Sequence, residues 1–256
     1  MCLILFAYRM QNSTPLIIAA NRDEFYTRPT KAAHYWDNFP DLLAGKDLEA
    51  GGTWLGVTKT GRFAAVTNLA SVVRSAPISR GGLALNFLNS RQDSADYAES
   101  LKKDHYQGFN LLLFDGSSLV YISNGREEKI QKLTPGYYGL SNANLDSNWP
   151  KVHQGKRGLK HLVQSGHMEG SIPARERHTH LVQLLQAELS TPDMGLKDAG
   201  EYRAASSFIR GEEYGTRAST GVFIGDTSIS FYEQNYIAGG NRSDDGLFEF
   251  PYVNSG

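Results

Sequence analysis

The chain is poor in cysteine, because Cys2 is the only one among its 256 residues. No internal disulfide can form, and this favours a reducing compartment and a cytoplasmic location. Two histidines, His178 and His180, lie close together in the sequence, but residues two apart on a helix face away from each other. No further ligands stand at a suitable spacing, so we predict no metal site and interpret the two histidines as a solvated helix end.

The chain also lacks an excess of charge and any long apolar run. Its 26 basic and 27 acidic residues give a net charge of −1, which disfavours partners such as nucleic acid or an anionic membrane surface. Apolar runs such as 16–20 and 111–114 are far shorter than the roughly 20 residues that a membrane span needs. The length suits one large domain, and we predict a single domain over residues 1–256.

What the chain does have is a series of short apolar and β-branched runs separated by glycine-rich turns. These runs predict strands at 3–8, 15–22, 53–58, 62–68, 108–114, 119–123, 137–142, 207–210, 218–225 and 228–233. Amphipathic patterns predict helices at 83–88, 94–102, 150–163 and 174–189. Because the strands come in hairpins, the pattern indicates an α+β fold in which helices cover antiparallel sheets.

The first predicted hairpin brings Cys2 to a cluster of charged residues. With the turn near Asn12, paired positions sum to 24 or 25, so Cys2 falls opposite Arg22 or Asp23. Neighbours across an antiparallel pair have Cβ atoms roughly 5 Å apart. The choice of register decides which of the two side chains faces the thiol.

Cys2 follows the initiator methionine, and cysteine is small enough to permit removal of that methionine. A free α-amine has a pKa of about 7.7–8.0 and a free thiol one near 8.5, so the amine of Cys2 can take the thiol proton. Asp23 would orient the amine, and a nearby arginine would favour the thiolate. The alternative is that Cys2 is a small buried apolar residue of the strand.

Several segments identify a family in which this arrangement occurs. The stretch from Ala19 to Phe25, which contains Asn-Arg-Asp-Glu, resembles the NRDE family, also called the transport and Golgi organisation protein 2 family. Other segments match in the family's order: Gly51-Gly52-Thr53-Trp54-Leu55-Gly56, Val66-Thr67-Asn68, Ser79-Arg80-Gly81, Leu140-Ser141-Asn142, Trp149-Pro150-Lys151 and Tyr214-Gly215-Thr216-Arg217.

The chain is similar, more distantly, to the bile salt hydrolase and penicillin acylase branch of the N-terminal-nucleophile (Ntn) hydrolases. That resemblance implies a four-layer αββα sandwich, with Cys2 and Asp23 at the catalytic places. It also implies that Asn68 helps to form the oxyanion hole and that Asn142 holds the amine or the leaving group. Those enzymes carry an arginine where this chain has Ala20. Arg22 and Arg217 are the candidates to replace it.

The family resemblance also implies a rival function, in haem trafficking. A haem-binding protein would need an apolar slot and an axial ligand, for which His34 and Cys2 are candidates, with Trp54 as a further ligand-binding residue. Arg80, before Gly81-Gly82, is a candidate for binding an anionic group at a helix N-terminus. We therefore predict a cytoplasmic cysteine amidohydrolase or acyl hydrolase of a small amphipathic substrate, needing no cofactor, or alternatively a non-enzymatic haem-binding protein.

Overall fold

A computed structural model describes residues 2–69, 78–125, 128–187 and 205–251 of the chain. The strands in these ranges are β1 (Cys2–Gln11), β2 (Thr14–Phe25), β3 (Thr30–Trp36), β4 (Phe39–Asp47), β5 (Leu55–Thr58), β6 (Phe63–Asn68), β7 (Phe109–Phe114), β8 (Leu119–Ser123), β9 (Lys129–Lys132), β10 (Gly136–Leu140), β11 (Tyr214–Ile224), β12 (Ser228–Ile237) and β13 (Asn241–Pro251). The α-helices are α1 (Gly81–Leu88), α2 (Ser94–Ser100), α3 (Pro150–Gln164) and α4 (Ala174–Gln186).

The described residues form two compact units, each built on one sheet. The first unit comprises 2–27, 135–141, 145–187 and 205–249, and its six strands run in the order β10-β1-β2-β11-β12-β13. The second comprises 28–69, 78–125, 128–134, 142–144 and 250–251, and its seven strands run in chain order from β3 to β9. Helices α3 and α4 pack on the first sheet, and α1 and α2 on the second. The predicted α+β class with antiparallel sheets is confirmed, whereas the single-domain assignment stays a prediction.

Strand β1 is buried on both faces, which explains its continuous apolar sequence. Leu3 and Leu5 pack with Val152 and Leu159 of α3 in one core cluster. Since side chains alternate along a strand, Cys2 shares the opposite face with Ile4 and Phe6.

The hairpins at 3–8 with 15–22 and at 53–58 with 62–68 are confirmed, but four strands were missed and one predicted strand is wrong. The missed strands β3, β4, β9 and β13 are rich in polar and half-exposed positions, so they carry no continuous apolar signal. The predicted strand at 207–210 is absent from the described residues. Instead, Ile209 forms two hydrogen bonds with Thr216: its carbonyl oxygen accepts from the Thr216 N–H, and its own N–H donates to the Thr216 hydroxyl, each at 3.0 Å.

His178 corrects the interpretation of a solvated helix end, because its side chain is fully buried. It lies three and seven residues before Leu181 and Leu185, so the helical repeat places all three on the buried face of α4. Its Nε2 lies 2.8 Å from Ser230 Oγ, and its ring packs between Phe223 and Tyr232. The helical spacing to the two leucines could have shown this burial.

Burial lowers the pKa of His178 to about 3 from its usual 6.5. The unfolded chain therefore binds a proton that the folded chain does not, and stability falls as the pH drops below 6.5. We expect this residue to contribute a loss of about 1.4 kcal/mol in the free energy of unfolding for each pH unit below that value. Urea unfolding at pH 4.5–7.5 should show a shallower pH dependence in His178→Phe than in the wild type. Equal slopes in the two proteins would contradict the assignment.

Candidate active site

Cys2 is the first residue of β1 and is half-buried. It pairs with Arg22 of β2, so paired residues sum to 24 and Arg22, not Asp23, shares its face of the sheet. The buried Ser141 hydroxyl donates a 2.6 Å hydrogen bond to the Cys2 carbonyl oxygen from the end of β10. The backbone of Cys2 is thus held from both neighbouring strands.

The surroundings of Cys2 keep its thiol protonated. Burial raises the pKa of the thiol, and the Asp23 carboxylate raises it further. The amino terminus, a hydrogen bond from the Asp23 backbone N–H, and Arg22 lower the same pKa. Because the net direction is upward, the thiol needs a base in order to attack a carbonyl carbon.

The Asp23 side chain lies on the face of the first sheet opposite to Arg22 and Cys2, with only 4% of its surface exposed. Its Oδ1 accepts a 2.7 Å hydrogen bond from the Thr216 hydroxyl of β11, which itself accepts a 3.0 Å bond from the Ile209 N–H. Burial raises the pKa of Asp23, while the amino terminus, Lys151, the Thr216 bond and Arg22 oppose that rise. Burial has the largest effect, so the pKa of the carboxyl group is raised overall even though these neighbouring groups favour its charged form.

Lys151 belongs with Cys2 and Asp23 in one group of interacting charged and titratable side chains, called here the Cys2 cluster. No role was predicted for Lys151 from the sequence. Its side chain is fully buried in the first turn of α3, directly after Pro150. Burial has the largest effect and lowers the pKa of Lys151 overall, while the charges of Asp23 and Cys2 oppose that lowering. A lysine in a first helical turn runs against the helix dipole, and that mismatch was the available signal.

The four residues of the Asn-Arg-Asp-Glu motif divide between structure and chemistry. Asn21 is fully buried and donates to the carbonyl oxygens of Leu185 and Ser207 while accepting from the Ser219 hydroxyl. Glu24 lies 3.9 Å from Arg22. Asn21 thus fixes β2 against neighbouring chain segments, while Arg22 and Asp23 lie on opposite faces next to Cys2.

Arg217 occupies a β-bulge. Thr216 pairs with Asp23 and Ala218 pairs with Arg22, so Arg217 is the extra residue between them. Its guanidinium donates to the carbonyl oxygens of Phe25 and Tyr26, which follow the motif. Burial lowers the pKa of Arg217, and so does the positive charge of Arg22. The bulge brings Arg217 close to Arg22, and its role as a replacement arginine stays a prediction.

Asn68 and Asn142 both lie in the second unit. The buried Asn142 amide donates a 2.9 Å hydrogen bond to the Asn68 carbonyl oxygen at the end of β6, and the Asn68 side chain is exposed. Asn110 holds the next residue of the chain by donating to the Ala143 carbonyl oxygen. The structure thus brings the two asparagines together, and their roles toward an oxyanion and a leaving group stay predictions.

The three predicted ligand-binding residues, Arg80, His34 and Trp54, also lie in the second unit. Arg80 is the residue before the first turn of α1, and its guanidinium donates to the Gly108 carbonyl oxygen. His34 lies in β3, with Nδ1 2.8 Å from the Ala32 oxygen and its ring stacked on Trp36. Trp54 packs against the core of that unit. Haem binding by this group stays a prediction.

Comparison with known proteins decides the family. The chain matches the Transport and Golgi organisation 2 family over residues 1–238. It is 36% identical over 261 residues to the Transport and Golgi organization protein 2 homolog of Homo sapiens, covering 93% of this chain and 94% of that protein. An uncharacterized protein of Saccharomyces cerevisiae is 34% identical over 287 residues, covering 91% of each. The chain belongs to the Transport and Golgi organisation 2 family.

Solved structures similar to this family member are hydrolases of the Ntn class. A Caenorhabditis elegans N-acylethanolamine-hydrolyzing acid amidase ortholog aligns with a TM-score of 0.51 and 12% identity, over 80% of this chain and 98% of that one. A Cys-to-Ala mutant of the conjugated bile acid hydrolase from Clostridium perfringens aligns with a TM-score of 0.50 and 10% identity, over 98% and 92%. These likenesses show an Ntn-hydrolase fold. Among the described helices, none is long and apolar enough to span a membrane.

The Thr216 hydroxyl should contribute measurably to stability. Thr216→Val leaves the Asp23 carboxylate and the Ile209 N–H without this partner, and we expect a loss of about 1–3 kcal/mol in the free energy of unfolding. Thr220→Val is the matched control, because the fully buried Thr220 hydroxyl on the same strand has no hydrogen-bond partner among the described residues. Urea titration should find the control unchanged or more stable. Equal losses in both variants would contradict a special role for Thr216.

Proposed function

We propose that this protein is an Ntn hydrolase that cleaves a carbon–nitrogen amide bond of a small amphipathic acyl compound, with Cys2 as nucleophile once Met1 is removed. The observation that carries the proposal is the position of Cys2 as the first residue of β1, paired with Arg22 and adjacent to the buried Asp23. The names of the two similar structures, an N-acylethanolamine-hydrolyzing acid amidase and a conjugated bile acid hydrolase, support this class of reaction.

The reaction would begin with proton transfer from the Cys2 thiol to its own α-amine. The sulfur then attacks the amide carbonyl carbon, and the negative charge that develops on the oxygen is stabilised by N–H donors, for which Asn68 is the predicted side chain. Collapse of this intermediate breaks the C–N bond, and the ammonium of Cys2 returns the proton to the leaving nitrogen. Water then cleaves the acyl thioester and restores the thiol.

Arg22 and Asp23 would have different tasks because they lie on opposite faces. Arg22 shares the face of the thiol and lowers its pKa. Asp23 is a buried acceptor whose carboxylate would receive a hydrogen bond from the α-amine and hold its lone pair toward the thiol. A thioester substrate would follow the same sequence, with a sulfur leaving group in place of nitrogen.

The test uses one polypeptide in two states. The chain is produced behind a removable N-terminal extension, and a site-specific protease then leaves Cys2 as the first residue. Hydrolysis of a lauroyl amide of 7-amino-4-methylcoumarin should appear only after cleavage, and the intact mass of the untagged protein should show loss of Met1. Equal turnover before and after cleavage, or retention of Met1 in the untagged protein, would rule out this mechanism.

A further inference from the structure

Two opposite charges are buried beside Cys2 within the first unit. The Lys151 side chain is fully buried and Asp23 is 4% exposed. Each acts electrostatically on the other, since Lys151 favours the charged form of Asp23 and Asp23 favours the charged form of Lys151. A buried charge is tolerated in a protein when an opposite charge accompanies it.

The packing of α3 explains how Lys151 reaches this place. A Cβ atom at Gly139 of β10 would lie 2.8 Å from Val152 Cγ1, and one at Gly155 would lie 2.6 Å from Leu5 Cδ1 of β1. The glycines therefore allow the helix to lie directly on the two strands. Val152 and Gly155 lie over the paired residues Gly139 and Leu5. Lys151, the residue before Val152, acts electrostatically on Asp23 and Cys2 from this helix.

We infer that Lys151 is a positioning residue of the Cys2 site, whose ammonium keeps the Asp23 side chain an ionised carboxylate beside Cys2. The function of this pair rests on the proposed hydrolase mechanism, in which that carboxylate accepts a hydrogen bond from the α-amine. Without the ammonium, burial favours the neutral carboxylic acid. A neutral acid keeps its own proton and is a weaker acceptor for the amine.

Lys151 acts through Asp23 and transfers no proton itself. The other charged groups that act on Asp23 are the amino terminus and Arg22, and the Thr216 hydroxyl adds a hydrogen bond from β11. Lys151 and Arg22 act on Asp23 from different sides. Lys151 lies on the helix-covered side of the sheet, as Asp23 does, whereas Arg22 lies on the side of the Cys2 thiol.

The test measures the charge on Asp23 through the reactivity of Cys2. Because Cys2 is the only cysteine, intact mass after iodoacetamide treatment reports its alkylation alone. The Asp23 carboxylate raises the thiol pKa, so Asp23→Asn should lower the apparent pKa of alkylation, by about one pH unit or a tenfold change in the thiolate ratio. In a Lys151→Met background the same Asp23→Asn change should have no effect, because Asp23 is already neutral there.

Two further backgrounds are the controls. Lys151→Arg keeps the positive charge and should restore the effect of Asp23→Asn, and so should Lys160→Met, which removes an exposed lysine of the same helix. An Asp23→Asn effect of equal size in the wild-type and Lys151→Met backgrounds, or in neither, would overturn the inference.

Folding of the variants is informative in itself. If Lys151→Met fails to fold while Lys151→Met with Asp23→Asn folds, the pairing is supported, because only the single variant leaves the Asp23 carboxyl group buried without a compensating positive charge. Failure of both would show a packing role and overturn the inference. Alkylation requires no turnover, so a chain that passes this test but retains Met1 keeps the charge pair and loses the hydrolase function.

Discussion

Cys2→Ala should abolish amide hydrolysis without disturbing the fold. Removing a catalytic nucleophile lowers turnover by a factor on the order of 10⁴–10⁶. The structural cost should be small, because Cys2 is half-buried at the start of its strand and its backbone, which holds the bond from Ser141, remains in place. The measurement is kcat on an acyl amide, with urea unfolding of the same preparations.

Cys2→Ser is the matched variant, since serine also permits removal of Met1 and supplies an oxygen nucleophile. We expect it to retain turnover between that of the wild type and that of Cys2→Ala, because an alkoxide is harder to form than a thiolate. Turnover in Cys2→Ala within tenfold of the wild type would refute nucleophilic catalysis by this residue. A large loss of stability in Cys2→Ala would favour the structural interpretation of the cysteine.

The pairing of Cys2 with Arg22 could be predicted from the sequence because it depends on local features. A short polar turn near Asn12 and two apolar runs limited the sum of paired positions to 24 or 25, and the structure has 24. The bulge after Tyr8 accommodates the other value, with Gln11 paired to Thr14. A hairpin is well determined by sequence when its turn is short.

The other members of the Cys2 cluster come from distant parts of the chain, and local patterns carry no information on their distances. Lys151 acts on Asp23 from α3, which packs closely on β1 and β10 at two glycines. Arg217 approaches Arg22 through a bulge, and nothing in the sequence marks a one-residue insertion in a strand pair. The sequence showed that Arg217 belongs to a family motif, but it did not predict which residues lie next to Arg217 in the structure.

The Asn-Arg-Asp-Glu motif illustrates why a motif and a site are different things. Asn21 makes three buried hydrogen bonds to distant segments, so its part is to fix the strand end. Alternation along β2 then places Arg22 and Asp23 on opposite faces, one with the thiol and one with the helices. Arg22 can therefore act on the Cys2 sulfur from one face of the sheet, while the Asp23 carboxylate and the Lys151 ammonium lie on the other face.

Lys151→Met should destabilise the protein by about 3–5 kcal/mol, the usual cost of removing one member of a buried pair of opposite charges. The fully buried side chain would be replaced by one of similar length, so the loss reports the free energy of keeping Asp23 neutral at pH 7 rather than a cavity. Lys151→Met with Asp23→Asn removes both charges and should recover most of the loss. The free energies of unfolding from urea titrations at pH 7 give the coupling between the two positions.

Lys160→Met controls for the loss of a lysine from α3, and because Lys160 is exposed its effect should lie within about 0.5 kcal/mol. Lowering the pH should narrow the difference between the wild type and Lys151→Met. As the pH falls, keeping Asp23 neutral costs less free energy in Lys151→Met, and Asp23 becomes protonated in the wild type as well, so the advantage of the pair of charges disappears. Additive losses in the double variant, or a difference that stays constant from pH 7 to pH 4, would show that the two charges do not stabilise each other.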